Sequence, residues 1–125
     1  MKIARLTDAR FHQALRKLTA QTLPLRAAFK LKGIAATLDA ELKKFEECRQ
    51  AALEKFGKRG EDGNIVTRED GSVEFDNEQL KAFAAELNDL GQEDINLESV
   101  KMEELGNKVE LTADELFLLD GVIVE

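Results

Sequence analysis

The sequence predicts an α+β fold, mainly helical, in which an N-terminal helical hairpin with one long helix precedes a small mixed lobe containing a β-hairpin. Three observations lead there. Hydrophobic residues make up 43% and charged residues 34% of the chain, a balance too apolar for disorder and rich in the residues that fill long helices. Apolar side chains then recur from Leu31 to Phe56 at alternating steps of four and three, the spacing of a helical seam. After Gly57 the pattern changes abruptly to a Gly- and Asp-dense stretch. A chain of this length holds one core by default, so residues 1–125 read as a single domain, 8–57 the helical hairpin and 58–125 the mixed lobe.

The elements follow in order. Met1 to Leu6 reads as a short strand, because Met1, Ile3 and Arg5 alternate with their neighbours before Thr7 and Asp8 offer N-caps. A first helix runs from about Asp8 to Ala20, with Phe11, Leu15 and Leu18 forming one apolar stripe. Pro24 suits the first turn of a second helix, which continues to Phe56 and stops at Gly57, with Lys55, Lys58 and Arg59 complementing its negative end. At 1.5 Å per residue this helix is roughly 50 Å long, and Gly33 is its weak point for a bend or break.

The seam of that helix comprises Leu31, Ala35, Leu38, Leu42, Phe45, Arg49, Ala52 and Phe56. It outruns the surface a short first helix can cover, so a partner is expected, either the C-terminal half or a second subunit, and homo-oligomerisation through this helix is the expectation. Arg49 interrupts the seam and must snorkel, pair with an acid or bind a ligand, since an unpaired buried guanidinium is costly.

In the segment from Gly57 to Asp76, two β-type runs (IVT and SVEF) flank Asp70-Gly71, a pair suited to a tight turn. The expectation is a β-hairpin or a mobile flap. A third helix spans about Asn77 to Leu90, with Leu80, Phe83, Ala84 and Leu87 on one face, Asp76 as cap and Gly91 as stop. Ile95, Leu97, Val100 and Met102 suggest short extended segments. Thr112 to Glu115 has the spacing of a capping box, so a short helix begins there, ends at Asp120-Gly121, and leaves Val122 to Val124 as an edge strand.

Charge narrows the function classes. The net charge is −7, which argues against non-specific binding of duplex nucleic acid or acidic lipid. The distribution is polar along the chain: residues 1–32 carry eight bases and one acid, whereas residues 60–125 carry four bases and nineteen acids. The absence of a signal-peptide core and of any long apolar run points away from secretion and membrane insertion. The one cysteine and one histidine leave no disulfide and no zinc cluster, which fits a reducing cytoplasmic setting.

In their order and spacing, the basic LPLRAAFKL stretch, ELKKFEECRQAALEKFG at the end of the long helix, the acidic GEDGN turn and the C-terminal LTADELFLLDG resemble a family of small uncharacterised proteins of tailed bacteriophages and prophages. The resemblance covers most of the chain. It implies phage origin, action in the host cytoplasm and a helical hairpin with a small mixed tail. It implies no activity, so no catalytic residue carries over. Phe45 and Arg49 match the family's F-x-x-x-R step and Gly57 its helix stop, while Phe56 stands where the family places Tyr.

No nucleophile motif, metal cluster, calcium loop or phosphate-binding glycine fingerprint is present, so neither catalysis nor a cofactor or metal is expected. His12 reads as a helix-surface residue, and Cys48 as a small core residue. The basic N-terminal region carries the remaining chemistry. Arg10 and Lys17 share a face of the first helix, Arg26 and Lys30 a face of the second. If the hairpin closes, the two pairs converge into a candidate anion site aided by the second helix's N-terminus, and Arg49 is a further candidate ligand for it. The alternative is that these cations pair with the acidic C-terminal half.

The expected function is therefore a non-enzymatic, oligomeric, phage-encoded binding protein that captures a host factor, such as an anionic nucleotide-type defence signal. The alternative is a virion or assembly component contacting another phage protein.

Overall fold

The computed structural model describes residues 1–125. It is mainly helical: α1 (Ala9–Thr19), α2 (Leu25–Phe56), α3 (Asn77–Gly91) and α4 (Ala113–Leu118) surround a two-residue parallel pair, β1 (Val100–Lys101) and β2 (Ile123–Val124). Val100 lies opposite Ile123 and Lys101 opposite Val124, so the extended segment expected near Val100 and the C-terminal edge strand pair with each other.

The N-terminus departs from the strand expected over Met1 to Leu6. Only Lys2 bridges to Asp94, flanked by backbone bonds from Ile3 N to Glu93 O at 3.0 Å and from Ile95 N to Met1 O at 2.8 Å. Ile3 to Thr7 then coil into a 3-10 helix. The reason is the core-facing pair: Ile3 and Leu6 are the buried residues, and a separation of three places both on one side of a 3-10 turn but on opposite faces of a strand.

Asp8 ends that turn and caps α1 by accepting from Arg10 N, satisfying one of the orphan donors at the helix start. Phe11, Ala14, Leu15 and Leu18 are buried. Pro24 supplies the extended residue before α2, which runs unbroken through Gly33 to Phe56. Its seam is covered by the chain itself along most of its length: Ala27, Leu31, Ile34, Leu38 and Phe45 are buried against α1, the N-terminal turn and the C-terminal segments. Beyond Phe45 the seam opens, and Arg49 is exposed.

Gly57 ends α2 by close approach. A β-carbon there would lie 2.6 Å from the Leu53 carbonyl oxygen and 2.9 Å from Val73 Cγ1. The expected hairpin region folds as two linked turns, with single antiparallel bridges between Arg59 and Ile65 and between Thr67 and Val73. Its backbone bonds close a ring: Lys58 donates to Glu74 (2.8 Å), Glu74 to Val66 (2.9 Å) and Val66 to Lys58 (2.9 Å). Asp70-Gly71 makes the second turn, with Gly71 at φ +85°, a conformation glycine adopts without steric cost.

One cluster of 17 buried apolar residues runs from Ile3 through α1 and α2 to Ile95, Val100, Leu105, Leu119, Val122 and Ile123. Both ends of the chain thus contribute to the same interior. By contrast, α3 buries none of its large side chains. Phe83 and Leu87 are half-buried, Leu80 is exposed and Gly91 packs closely on Ala4.

Candidate functional site

An open groove of about 670 Å³ lies between α1 and α4. Its walls are made by the two capping motifs that the sequence places there. On one side Asp8 accepts from Arg10 N at 2.9 Å and from the Arg10 guanidinium at 3.1 Å. On the other, Thr112 Oγ1 accepts from Glu115 N, and Glu115 Oε1 accepts from Thr112 N, each at 3.1 Å. Lys17 crosses the groove and donates to Glu115 Oε1 at 2.7 Å. Arg5 closes the end by donating to the Asp120 carbonyl.

Charge in this groove is balanced. Arg5, Arg10 and Lys17 face Asp8, Asp114 and Glu115. The Lys17 ammonium, then the Thr112 amide, hold Glu115 below the usual glutamate range, and the Arg10 side chain does the same for Asp8. Phe117 also lines the groove and is 83% exposed, far beyond what a large aromatic ordinarily shows. The sequence reading missed it, taking the apolar residues after the capping box only as evidence for a helix. A short helix has room for one buried stripe, and Leu116 and Leu118, half-buried against the core, leave Phe117 on the outer side.

The five candidate residues are not gathered into one site. Arg10 and Lys17 line the α1–α4 groove, and Arg26 and Lys30 line a second hollow with Pro24, Lys101, Glu103 and Glu104. Arg49 lines neither and reaches Glu46 on its own helix at 3.8 Å. In the second hollow Lys30 donates to Glu104 at 2.8 Å, and Glu104 also accepts from Lys101 N at 3.2 Å. Lys30 and then that amide pull the Glu104 carboxyl below its ordinary range. Arg26 makes no ion pair.

His12 is half-buried, and its Nε2 donates to the Leu6 carbonyl at 2.6 Å, which ties α1 to the preceding turn. Cys48 is exposed and is not the core residue expected. No group of three or more His, Cys, Asp or Glu side chains is arranged to hold a metal ion, and no helix is long and apolar enough to cross a membrane. Comparison with protein-family models, with curated proteins and with solved structures finds no match to the chain.

Proposed function

We propose that this chain is a non-enzymatic, phage-encoded protein that acts in the host cell by binding another protein stoichiometrically through the α1–α4 groove. The observation that carries the reading is the outward Phe117 ring beside a groove in which Arg10 pairs with Asp8 and Lys17 with Glu115. An aromatic anchor bordered by neutralised polar pairs has the anatomy of a protein-binding hot spot, where the rim excludes water and the ring supplies the energy. A free anion finds less there. Arg10 and Lys17 are paired with Asp8 and Glu115, and Arg5 is held by the Asp120 carbonyl, so a phosphate would have to displace one of these partners.

The test is capture by a tagged chain from host lysate and from phage particles, comparing wild type with Phe117→Ala. The expected result is a partner retained at fixed stoichiometry by wild type and lost by the variant, whose thermal melt is unchanged. Equal capture by both chains refutes the role of the groove. A partner found in particles assigns the chain to assembly; one found in lysate assigns it to capture of a host factor.

A second reading, binding of a small anionic ligand, is supported by one feature: Arg26 is free of ion pairs beside Lys30 and Lys101 at the start of α2. Calorimetry against a panel of cyclic and linear nucleotides tests it. Heat that disappears in Arg26→Ala supports it, and no heat with any nucleotide removes it.

A further inference from the structure

A trough of about 410 Å³ lies between α3, the N-terminal turn and α2. Leu80, Phe83 and Leu87 line it from α3 and Phe45 from α2, and Phe75 braces the Phe83 ring at a centroid distance of 5.0 Å. Leu25 and Phe29 are also uncovered, but they stand on the open outer side of α2, whereas these four side chains make walls. One end is shut where Gly91 meets Ala4, so closely that a β-carbon on the glycine would lie 3.2 Å from the alanine methyl. No charged side chain lines the trough. Its polar side chains are Thr7 and Asn88, and the Thr7 hydroxyl already donates to the Ala4 carbonyl at 2.7 Å. Such a lining asks no hydrogen bonds of an occupant and disfavours any charge placed inside it.

The charges around the margin select the occupant's head. On α3, Glu78, Glu86 and Asp89 lie on the side away from Leu80, Ala84 and Leu87, and Lys81 lies on the flank. Asp76 stands one turn before Leu80, past the end of the trough. On the N-terminal turn Lys2 is taken by Asp94, Arg5 by the Asp120 carbonyl and Asp8 by Arg10. On α2, Glu41, one turn before Phe45, is held by Lys44 at 2.9 Å, while Glu46 and Glu47 lie a quarter turn or more around the helix from Phe45. Arg49, one turn after Phe45, reaches only Glu46, at 3.8 Å, beyond hydrogen-bond range. Helix positions four apart hold their β-carbons about 5–6 Å from each other, so the Arg49 guanidinium reaches the edge of the trough. This is the cation that interrupts the apolar seam of α2.

We infer that the trough takes the hydrocarbon tail of a single-chain carboxylate, a fatty acid, with the Arg49 guanidinium gripping its head. The planar fork of an arginine matches a carboxylate with two parallel hydrogen bonds. Size fits the same ligand. The volume falls within the roughly 300–1,000 Å³ of small-molecule sites, and from Leu80 to Gly91 the α3 wall is roughly 16 Å long, the length of an extended dodecanoate tail. A partner helix, about 10–12 Å across, finds no passage where Ala4 and Gly91 meet.

Calorimetry with saturated carboxylates from octanoate to dodecanoate, each below its micelle-forming concentration, tests the inference. One equivalent is expected to bind, tightening about fourfold for each added methylene as more tail is buried. Arg49→Gln weakens dodecanoate about tenfold and leaves dodecanol unchanged, since the alcohol offers no charge to the guanidinium. Ala84→Trp fills the trough from an exposed position and abolishes binding with an unchanged melt, and Leu80→Asp does the same by placing a charge in the wall. The inference does not rest on the α1–α4 groove, so Phe117→Ala binds dodecanoate as wild type does. No binding of dodecanoate overturns it. So does binding that is indifferent to Ala84→Trp or to Arg49→Gln, or dodecyltrimethylammonium held as tightly as dodecanoate.

Discussion

Gly33 inside α2 and Gly57 at its C-cap offer the same substitution with opposite expected signs. Gly33 lies in the helix interior with open space where its side chain would be, so Gly33→Ala removes unfolded-chain freedom without a clash and stabilises by about 0.5–1 kcal/mol. Gly57 differs because the nearest obstacles are backbone and core. Its own N–H is held by the Leu53 carbonyl at 2.8 Å, the atom that a new methyl would meet at 2.6 Å, with Val73 Cγ1 at 2.9 Å behind it. Relieving the clash means breaking the cap bond or lifting the Val73 segment, and overpacking of that kind costs about 1–3 kcal/mol. Urea unfolding followed by circular dichroism, at concentrations too dilute for self-association, reads both differences. For a chain of this size each kcal/mol moves the thermal midpoint by roughly 3–6 °C. A destabilising Gly33→Ala would mean that the back of α2 is covered in the monomer. A neutral Gly57→Ala would mean that the turns after α2 do not pack on its end.

Further outcomes follow from the interior and the caps. Leu119 is fully buried although only six residues from the C-terminus, so Leu119→Ala is expected to cost about 2–5 kcal/mol. Calorimetry should still show one cooperative transition; loss of a separate C-terminal transition alone would contradict a shared core. Phe117→Ala should leave stability within about 0.5 kcal/mol of wild type, and a larger loss in chemical denaturation would show the ring to be structural. Acid should destabilise the chain in a defined way. Asp8, Glu104 and Glu115 have folded pKa values below their ordinary 3.8, 4.5 and 4.5, so their contribution is complete above those values and is lost as pH falls through the lower folded ones. The melting temperature should therefore decline below about pH 4.5. The triple variant Asp8→Asn, Glu104→Gln, Glu115→Gln should start lower at neutral pH and decline less steeply, and parallel curves would refute the assignment.

Local signals in the sequence were reliable where one residue decides the outcome. Asp8, Thr112 and Glu115 cap as their spacing requires, Gly57 stops α2, and Asp70-Gly71 turns. The errors arose where two periods fit the same letters. Met1, Ile3 and Arg5 alternate like a strand, but Ile3 and Leu6, three apart, are what the interior accepts. The long seam was legible as a stripe, whereas its cover was not. Nothing in residues 95–123 announces that Val100, Leu105, Leu119 and Val122 join the same interior as α1 and α2, because those contacts link segments far apart in sequence. Phe117, Leu25 and Phe29 escaped notice for a related reason: exposure is a property of the assembled surface, and periodicity alone cannot assign it.

Charge shows most clearly how folding redirects what the sequence suggests. A basic first third and an acidic second half read along the chain as a dipole that either awaits an external anion or closes on itself. Folding closes it in part: Lys2 meets Asp94 at 3.1 Å, Lys17 Glu115 at 2.7 Å, Lys30 Glu104 at 2.8 Å and Lys55 Glu86 at 3.2 Å. The first three tie a cation of the basic third to a C-terminal acid, and exposed pairs such as Lys2–Asp94 add little stability. Their larger effect is on recognition, since a neutralised groove has little pull on a phosphate while an uncovered aromatic ring beside it retains its full affinity for apolar surface. After the ends meet, Arg26 remains unpaired, and large apolar side chains remain uncovered: Phe117 at one groove and Leu25 with Phe29 on the back of α2. On the proposed reading, a partner is selected by buried hydrophobic contact, with the remaining charges setting its orientation.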